Sequence, residues 1–511
     1  MNAADVILQA GGLRAQAPAL IVYPALAPAP PRQLSHADLA LLIERAATVL
    51  LDAGVNPGDR VGLVMNDSEY WCAAFLGAIK VGAVPMALNT RLAVEHYRFI
   101  AQDSSAALWL VEDTLAATVG AAIGAVPRLG MLRRLAFEQA CAAAPGGAPS
   151  HPCDPAAPAF WLYSSGTTGH PKGIVHSHAS CAASGMLLRD VIGLPAGSLI
   201  LATSKLFFAF ALDNALLGAL SIGATTILNE AWAETDSVFA QVKQHQPQLV
   251  MSVPTFYRRL LALPADDLKP FAAVNYFYTG GERVPDSVSQ GWAERTGRAL
   301  ASCYGMSETY SNVLANYPQR ERDGSCGQLL PGVSARLLDT HGDAVNAGEP
   351  GLLWLQHPTM TVGYHRHEFT QRAFKDGWFC THDLFRCDEQ GYFWHEGRAD
   401  ELLKVAGQWV KPGEVEEAAL ASGVLTEAAC VVAPDEQGFD RLALFVVPIS
   451  GVTDVLNRIE ATLVERLPRH CRPKWLRLSA ELPRNPTGKV QRFVLREALL
   501  AERAAPVHLP S

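Results

Sequence analysis

Apolar positions along the first half of the chain alternate between two rhythms. Residues 35–53 are apolar at helical spacing and open on Ser-His-Ala-Asp, which predicts a capped helix. Residues 60–65 are a short apolar run and read as a buried strand. Residues 68–81 return to helical spacing and 84–88 to a strand. This strand–helix–strand repetition predicts parallel sheets covered by helices, an α/β fold. The stretch 116–155 is rich in Ala, Gly and Pro, is weakly patterned, and reads as peripheral. The rhythm resumes with strands at 199–203, 224–228, 249–253 and 275–279, the last running into Gly280-Gly281-Glu282, and with a helix over 213–222. From about 401 the texture changes. Helices near 414–422 and 454–467 and strands near 428–432 and 442–447 predict a second, smaller α+β domain. The expected division is 1–399 and 400–511.

Between the strand-like 159–163 and a periodic segment over 174–188, which reads as a helix, lies Tyr163-Ser-Ser-Gly-Thr-Thr-Gly-His-Pro-Lys-Gly173. Its three glycines let backbone N–H groups turn inward. Ser164, Ser165, Thr167 and Thr168 add short donors, and Lys172 adds a full positive charge, so the loop reads as a polyphosphate cradle. It is not a Walker A loop, because Lys172 follows a proline and precedes a glycine.

Composition narrows the classes. At 511 residues the chain needs more than one core, and 49% apolar with 18% charged residues places it among globular proteins. A net charge of −8 argues against a general nucleic-acid or anionic-membrane binder. The ten cysteines show no C-x-x-C or zinc-like spacing, and no apolar run reaches the roughly 20 residues of a bilayer crossing. A soluble cytoplasmic protein with reduced thiols is expected. Ten lysines stand against 32 arginines, so lysines in glycine-flanked settings, Lys172, Lys404 and Lys489, are candidates for end-on contact with phosphate or carboxylate.

The 163–173 loop resembles the signature loop of the adenylate-forming superfamily, which includes acyl-CoA synthetases, peptide-synthetase adenylation domains and luciferases. The resemblance extends along the chain. Tyr304-Gly305-Met-Ser307-Glu308 is similar to the family's Tyr-Gly-x-Thr-Glu. Thr381-His382-Asp383 is similar to Thr-Gly-Asp, with His382 adding bulk where glycine is usual. Gly397-Arg398-Ala-Asp400 is similar to the interdomain motif, and Asn485-Pro-Thr-Gly-Lys489 to the last motif. The resemblance implies a mobile C-terminal domain with its hinge at Asp400. It implies ATP binding by Ser164, Ser165, Gly166, Thr167, Thr168, Gly169, Lys172, Gly281, Glu282, Tyr304, Gly305, Ser307, Asp383 and Arg398, and Mg²⁺ on Glu308 and Thr168. Lys489 would bridge carboxylate and α-phosphate, and Lys404 with Gly407 would line the CoA tunnel.

Two stretches, 204–214 and 404–416, look like those of benzoate-CoA ligases. By that resemblance Phe208, Ala209, Phe210 and Gly280 wall a flat slot for a ring. After Glu308 the chain departs from that pattern. Ser311 and Asn312 are candidates to hydrogen-bond a ring substituent, with Asp213 as a partner for an amino group if it faces inward. The expected substrate is a hydroxy- or aminobenzoate, or a related cyclic acid. Three alternatives stay open: an adenylation enzyme loading a carrier protein, a medium-chain acyl-CoA ligase, and a nucleotide-binding protein without turnover. A monomer or a homodimer is expected.

Overall fold

The helices begin where the sequence supplies caps. Ser35 accepts the N–H of Asp38 and Asp38 bonds back to the Ser35 N–H, closing a capping box on His36–Asp52. Ser68 caps Glu69–Lys80 by accepting the Trp71 N–H. The computed structural model describes residues 1–25, 29–124, 130–165, 171–339, 341–399, 403–405, 408–449, 451–484 and 490–504.

Two large sheets carry the fold. The seven-stranded sheet runs, edge to edge, Gly363–Tyr364, Pro171–Ser177, Pro158–Ser165, Val84–Ala87, Arg60–Val64, Leu108–Val111 and Gly130–Arg133. The strands from 158–165 onward are parallel, and the first two attach antiparallel. The nine-stranded sheet has a parallel centre, Leu300–Gly305, Tyr276–Thr279, Leu249–Ser252, Leu199–Ala202, Thr225–Asn229 and Pro18–Tyr23, with antiparallel edges. Aromatic stacks fill the spaces beneath. Trp71, Phe75 and Phe160 lie with ring centroids 5.1 and 5.7 Å apart, and Trp292 meets Tyr257 and Phe277 edge-on at 4.8 and 4.9 Å.

A π-helical turn, Leu212–Leu217, is clamped between the two cores. Leu212, Leu216 and Leu217 enter the core of the seven-stranded sheet, and Ala215 enters the core of the nine-stranded one. Residues 334–398 add a five-stranded, antiparallel sheet. Beyond residue 400, a three-stranded sheet packs against Pro412–Leu420, Val455–Arg466 and Arg492–Ala504. Among the described residues no helix is long and apolar enough to cross a membrane, and none of the ten cysteines is in a disulfide.

The structure corrects three expectations. Residues 174–188 do not form one helix. Pro171–Ser177 is a strand folded back on Pro158–Ser165, followed by the short helix His178–Ala182 and a π-helical turn, Leu187–Ile192. Ile174, Val175 and His176 are all buried, so the run is apolar on both faces and its spacing carries no strand period. The helix over 213–222 is π-helical in its first turn and α-helical only over Gly218–Ser221. The stretch 116–155 is not peripheral. It supplies the edge strand Gly130–Arg133 and a helix, Arg134–Ala143, that buries Phe137 and Cys141. Arg134 binds Glu230 at 2.7 Å, and Glu230 also takes Arg32, which pairs with Glu69 at 2.6 Å. This ion network ties the two large sheets together.

Candidate active site

The candidate phosphate loop is the tip of a β-hairpin. Register places Ser164 opposite Lys172 and Ser165 opposite Pro171, so both flanks of the loop are held at strand spacing. Gly166, Thr167, Thr168 and Gly169 lie outside the described residues. The segment after the loop is the strand Pro171–Ser177 and not a helix, so the loop is presented by a hairpin. Lys172 holds its ammonium 4.7 Å from the Phe369 ring centroid and 5.9 Å from that of Tyr364.

Three sheets deliver the groups around this hairpin. Leu300–Gly305 ends at Tyr304, whose hydroxyl donates to Asp383 Oδ2 from the antiparallel sheet. Arg398 and His395 stand 3.7 and 3.4 Å from Asp383 Oδ1. Burial pushes the Asp383 carboxyl up, but His395, Tyr304 and Arg398 outweigh it and hold it below the usual aspartate value. His382 takes a left-handed backbone conformation with φ of 59°, the reason a glycine suits this position, and its side chain is exposed.

Glu308 accepts the Tyr364 hydroxyl at 2.8 Å, and its carbonyl accepts the Thr361 N–H at 2.8 Å. Burial raises its carboxyl, opposed by Tyr364 and by the charges of Lys172 and Arg398. The Ser307 carbonyl is 2.8 Å from His176 Nε2, and His176 stacks on Phe160 at 4.8 Å. Gly305 pairs with Asn312 across the sheet. Gly281 follows strand Tyr276–Thr279 with φ of 88°, and Glu282 accepts from Thr255 at 3.3 Å. Tyr304, Glu308, Lys172, Arg398 and Asp383 thus converge at the carboxyl ends of the parallel strands, where open α/β sheets bind ligands. Among the described residues no three His, Cys, Asp or Glu side chains form a metal cluster.

The candidate ring wall is divided. Phe210 stands beside Gly280: a Cβ built on that glycine would lie 3.7 Å from the Phe210 ring and 3.2 Å from Cys303. Phe208 and Ala209 instead pack against the core of the seven-stranded sheet. Asp213 faces inward, but onto protein. Its oxygens accept the Gly185 N–H at 3.0 Å and the Ser311 hydroxyl at 2.7 Å. Asn312 is buried at the start of Asn312–Ala315.

Lys404 lies in the two-stranded hairpin Leu403–Val405 and Gln408–Val410, paired with Trp409. The Lys404 side chain, Asp400, Gly407 and Lys489 lie outside what is described. Beyond the hinge region, Glu417 pairs with Arg283 of the Gly-Gly-Glu loop at 3.1 Å, and Lys411 pairs with Glu396.

Sequence reasoning missed Tyr364, His176, His395 and Phe369. None lies in a motif: His176 and His395 flank motif residues on their own strands, and Tyr364 and Phe369 come from a separate segment. The bonds Tyr364–Glu308 and His176–Ser307 span 56 and 131 positions.

A family model described as AMP-binding enzyme matches residues 10–365, and one described as AMP-binding enzyme C-terminal domain matches 414–489. The chain is 36% identical to a 3-hydroxybenzoate–CoA ligase of Aromatoleum sp. (strain CIB), covering 98% of both chains. It is 34% identical to a benzoate–CoA ligase of Thauera aromatica, covering 91% of this chain and 90% of the relative. The crystal structure of the anthranilate CoA ligase AuaEII in complex with anthranoyl-AMP superposes with a TM-score of 0.90 at 28% identity, covering 98% of each chain.

Proposed function

The chain belongs to the AMP-binding enzyme family, and on that premise we propose that it activates an aromatic carboxylate with ATP and transfers the acyl group to CoA. The observation that carries this reading is the convergence of Lys172, Tyr304, Glu308, Asp383 and Arg398 at the mouth of one crevice.

In the first half-reaction a carboxylate oxygen attacks the α-phosphorus, the bond to the pyrophosphate oxygen breaks, and an acyl-adenylate forms. Lys172 and the hairpin hydroxyls neutralise the outer phosphates, Tyr304 offers its ring to adenine, and Asp383, oriented by Arg398, accepts the ribose hydroxyls. Lys489 bridges the carboxylate and the α-phosphate. Glu308 is a hard oxygen donor whose carboxylate takes the Tyr364 hydroxyl and its own backbone N–H and lies within reach of the Lys172 and Arg398 charges, a donor type that suits Mg²⁺; Glu308 and Thr168 would hold it. Bound there, the ion would neutralise phosphate charge.

In the second half-reaction the domain of residues 400–511 turns about Asp400 against the domain of residues 1–399 and brings Lys404 and Gly407 to the crevice. The CoA sulfur then attacks the acyl carbon and AMP leaves. A cytoplasmic setting and a monomer or homodimer belong to the same reading.

Pyrophosphate release with ATP, Mg²⁺ and CoA across benzoates, cyclic acids and fatty acids tests the proposal. CoA-dependent turnover of a benzoate is expected. Turnover without CoA consumption would reject CoA as acceptor in favour of a carrier protein. Lys489→Ala is expected to abolish adenylate formation and spare thioester formation from supplied acyl-adenylate, and Lys404→Ala to do the reverse. Equal loss of both steps in each variant would refute that division.

A further inference from the structure

The strand that carries Lys172 has a short partner on its outer edge. Gly363–Tyr364 pairs with Pro171–Ser177, Tyr364 lying opposite Ile174, and the His365 N–H reaches the Gly173 carbonyl at 2.8 Å. The chain then turns into helix His367–Ala373, with the Tyr364 N–H given to the Thr370 hydroxyl at 2.9 Å. The Asp103 carboxylate accepts Arg366 at 2.7 Å and the Tyr163 hydroxyl at 3.0 Å, which ties this turn to the first residue of the candidate phosphate loop. Tyr364 and Phe369 are therefore carried by the hairpin itself, their rings edge to face with centroids 6.0 Å apart.

Phe369 is half-buried and joins none of the apolar core clusters among the described residues. Its ring instead meets the Lys172 ammonium, 4.7 Å from the centroid, with the Tyr364 ring centroid at 5.9 Å. The ammonium is near enough for its charge to act on Glu308, whose carboxylate takes the Tyr364 hydroxyl, yet Lys172 forms no ion pair with a described carboxylate. A carboxylate partner would neutralise the lysine. A ring face attracts the cation through its quadrupole without cancelling the charge, and it leaves the other N–H donors for phosphate oxygens. A compact ammonium on a flexible four-carbon stem gains most from such a seat, because nothing in the stem fixes its place.

We propose that Phe369 is a positioning residue for the phosphate grip: its ring, with Tyr364 beside it, seats the Lys172 ammonium, keeps it off Glu308 and leaves it free to meet the outer phosphates of ATP. The inference rests on the reading above, in which Lys172 neutralises those phosphates, and deepens it with a residue outside the sequence motifs. Phe369 acts through Lys172 and touches no reacting atom.

The test is binding to the full-length enzyme by titration calorimetry, with Mg²⁺ and without acid or CoA, using ATP and AMP as probes. AMP has no outer phosphates, so it reports the nucleoside site and the integrity of the fold apart from Lys172. Phe369→Leu, which keeps apolar volume and removes the ring face, is expected to weaken ATP about three- to tenfold and to leave AMP within about twofold. Phe369→Tyr, which keeps the face, is expected to bind ATP as the wild type does. In a Lys172→Ala background, Phe369→Leu is expected to have no further effect. Equal loss of ATP and AMP affinity in Phe369→Leu would show a purely structural role and overturn the proposal. So would a loss in Phe369→Tyr as large as in Phe369→Leu, or an undiminished loss in the Lys172→Ala background. Unchanged ATP affinity in Phe369→Leu, while Lys172→Ala weakens ATP and spares AMP, defeats this inference alone. Unchanged ATP affinity in Lys172→Ala defeats the phosphate role of Lys172 beneath it.

Discussion

Asp383 and Asp213 are both buried, yet their surroundings drive them in opposite directions. Asp383 is met by His395, Tyr304 and Arg398 and stays below the usual value. Asp213 is met by a hydroxyl and a backbone N–H, with Arg189 the only charge opposing burial, and rises to about 6. A carboxyl whose folded value exceeds its unfolded value binds a proton more tightly when folded. Its contribution to stability is therefore greatest below about 4, the unfolded value, and is lost as pH rises through 6, by about 3 kcal/mol in all. His176, His178 and His357, each lowered to about 4 by burial, act oppositely and weaken the fold as pH falls below about 6.5. Only the difference between variant and wild type isolates the aspartate. Asp213→Asn is expected to gain on the wild type by up to about 3 kcal/mol between pH 4 and 8, read from urea unfolding at several pH values; a constant difference would show that the buried carboxylate does not titrate in this range.

At the scale of elements, Asp213 reaches its partners because two glycines let backbones touch. A Cβ on Gly218 would lie 2.5 Å from the Asp213 carbonyl and 2.6 Å from Gly185 Cα. Gly218→Ala is expected to cost about 1–3 kcal/mol in urea unfolding, since backbone must move to accept it. No cost would mean that the approach of Gly185 to this helix is dispensable. Neither glycine was marked in the sequence, because its reason is a contact with a remote segment. The parallel strands, by contrast, were legible as short apolar runs with breakers, the helix His36–Asp52 from its serine cap and spacing, and Glu69–Lys80 from its spacing. Strand Pro171–Ser177 was misread because both of its faces are buried, and helix Arg134–Ala143 was missed because it lacks a side-chain cap and is rich in alanine. The site divided in the same way. Tyr304, Glu308 and Asp383 were legible as motif residues, while Tyr364, His395 and His176, which set their orientation and charge, come from other elements and leave no local pattern.

For the whole molecule, the pair Arg283–Glu417 joins the Gly-Gly-Glu loop to helix Pro412–Leu420 of the smaller unit. Both side chains are well exposed, so the pair is worth at most about 1 kcal/mol, and breaking it shifts the equilibrium of the proposed domain rotation by no more than about fivefold. Glu417→Gln is therefore expected to change the ratio of the two half-reaction rates by a few fold, less so at high salt, without abolishing either; an unchanged ratio would show that this contact plays no part in domain position. The turn carrying Phe210 and Asp213 is wedged between the cores of both large sheets, whereas the hairpin flanking the candidate phosphate loop hangs from the seven-stranded sheet alone. A substitution in that hairpin has one core to disturb, and a substitution in the turn has two.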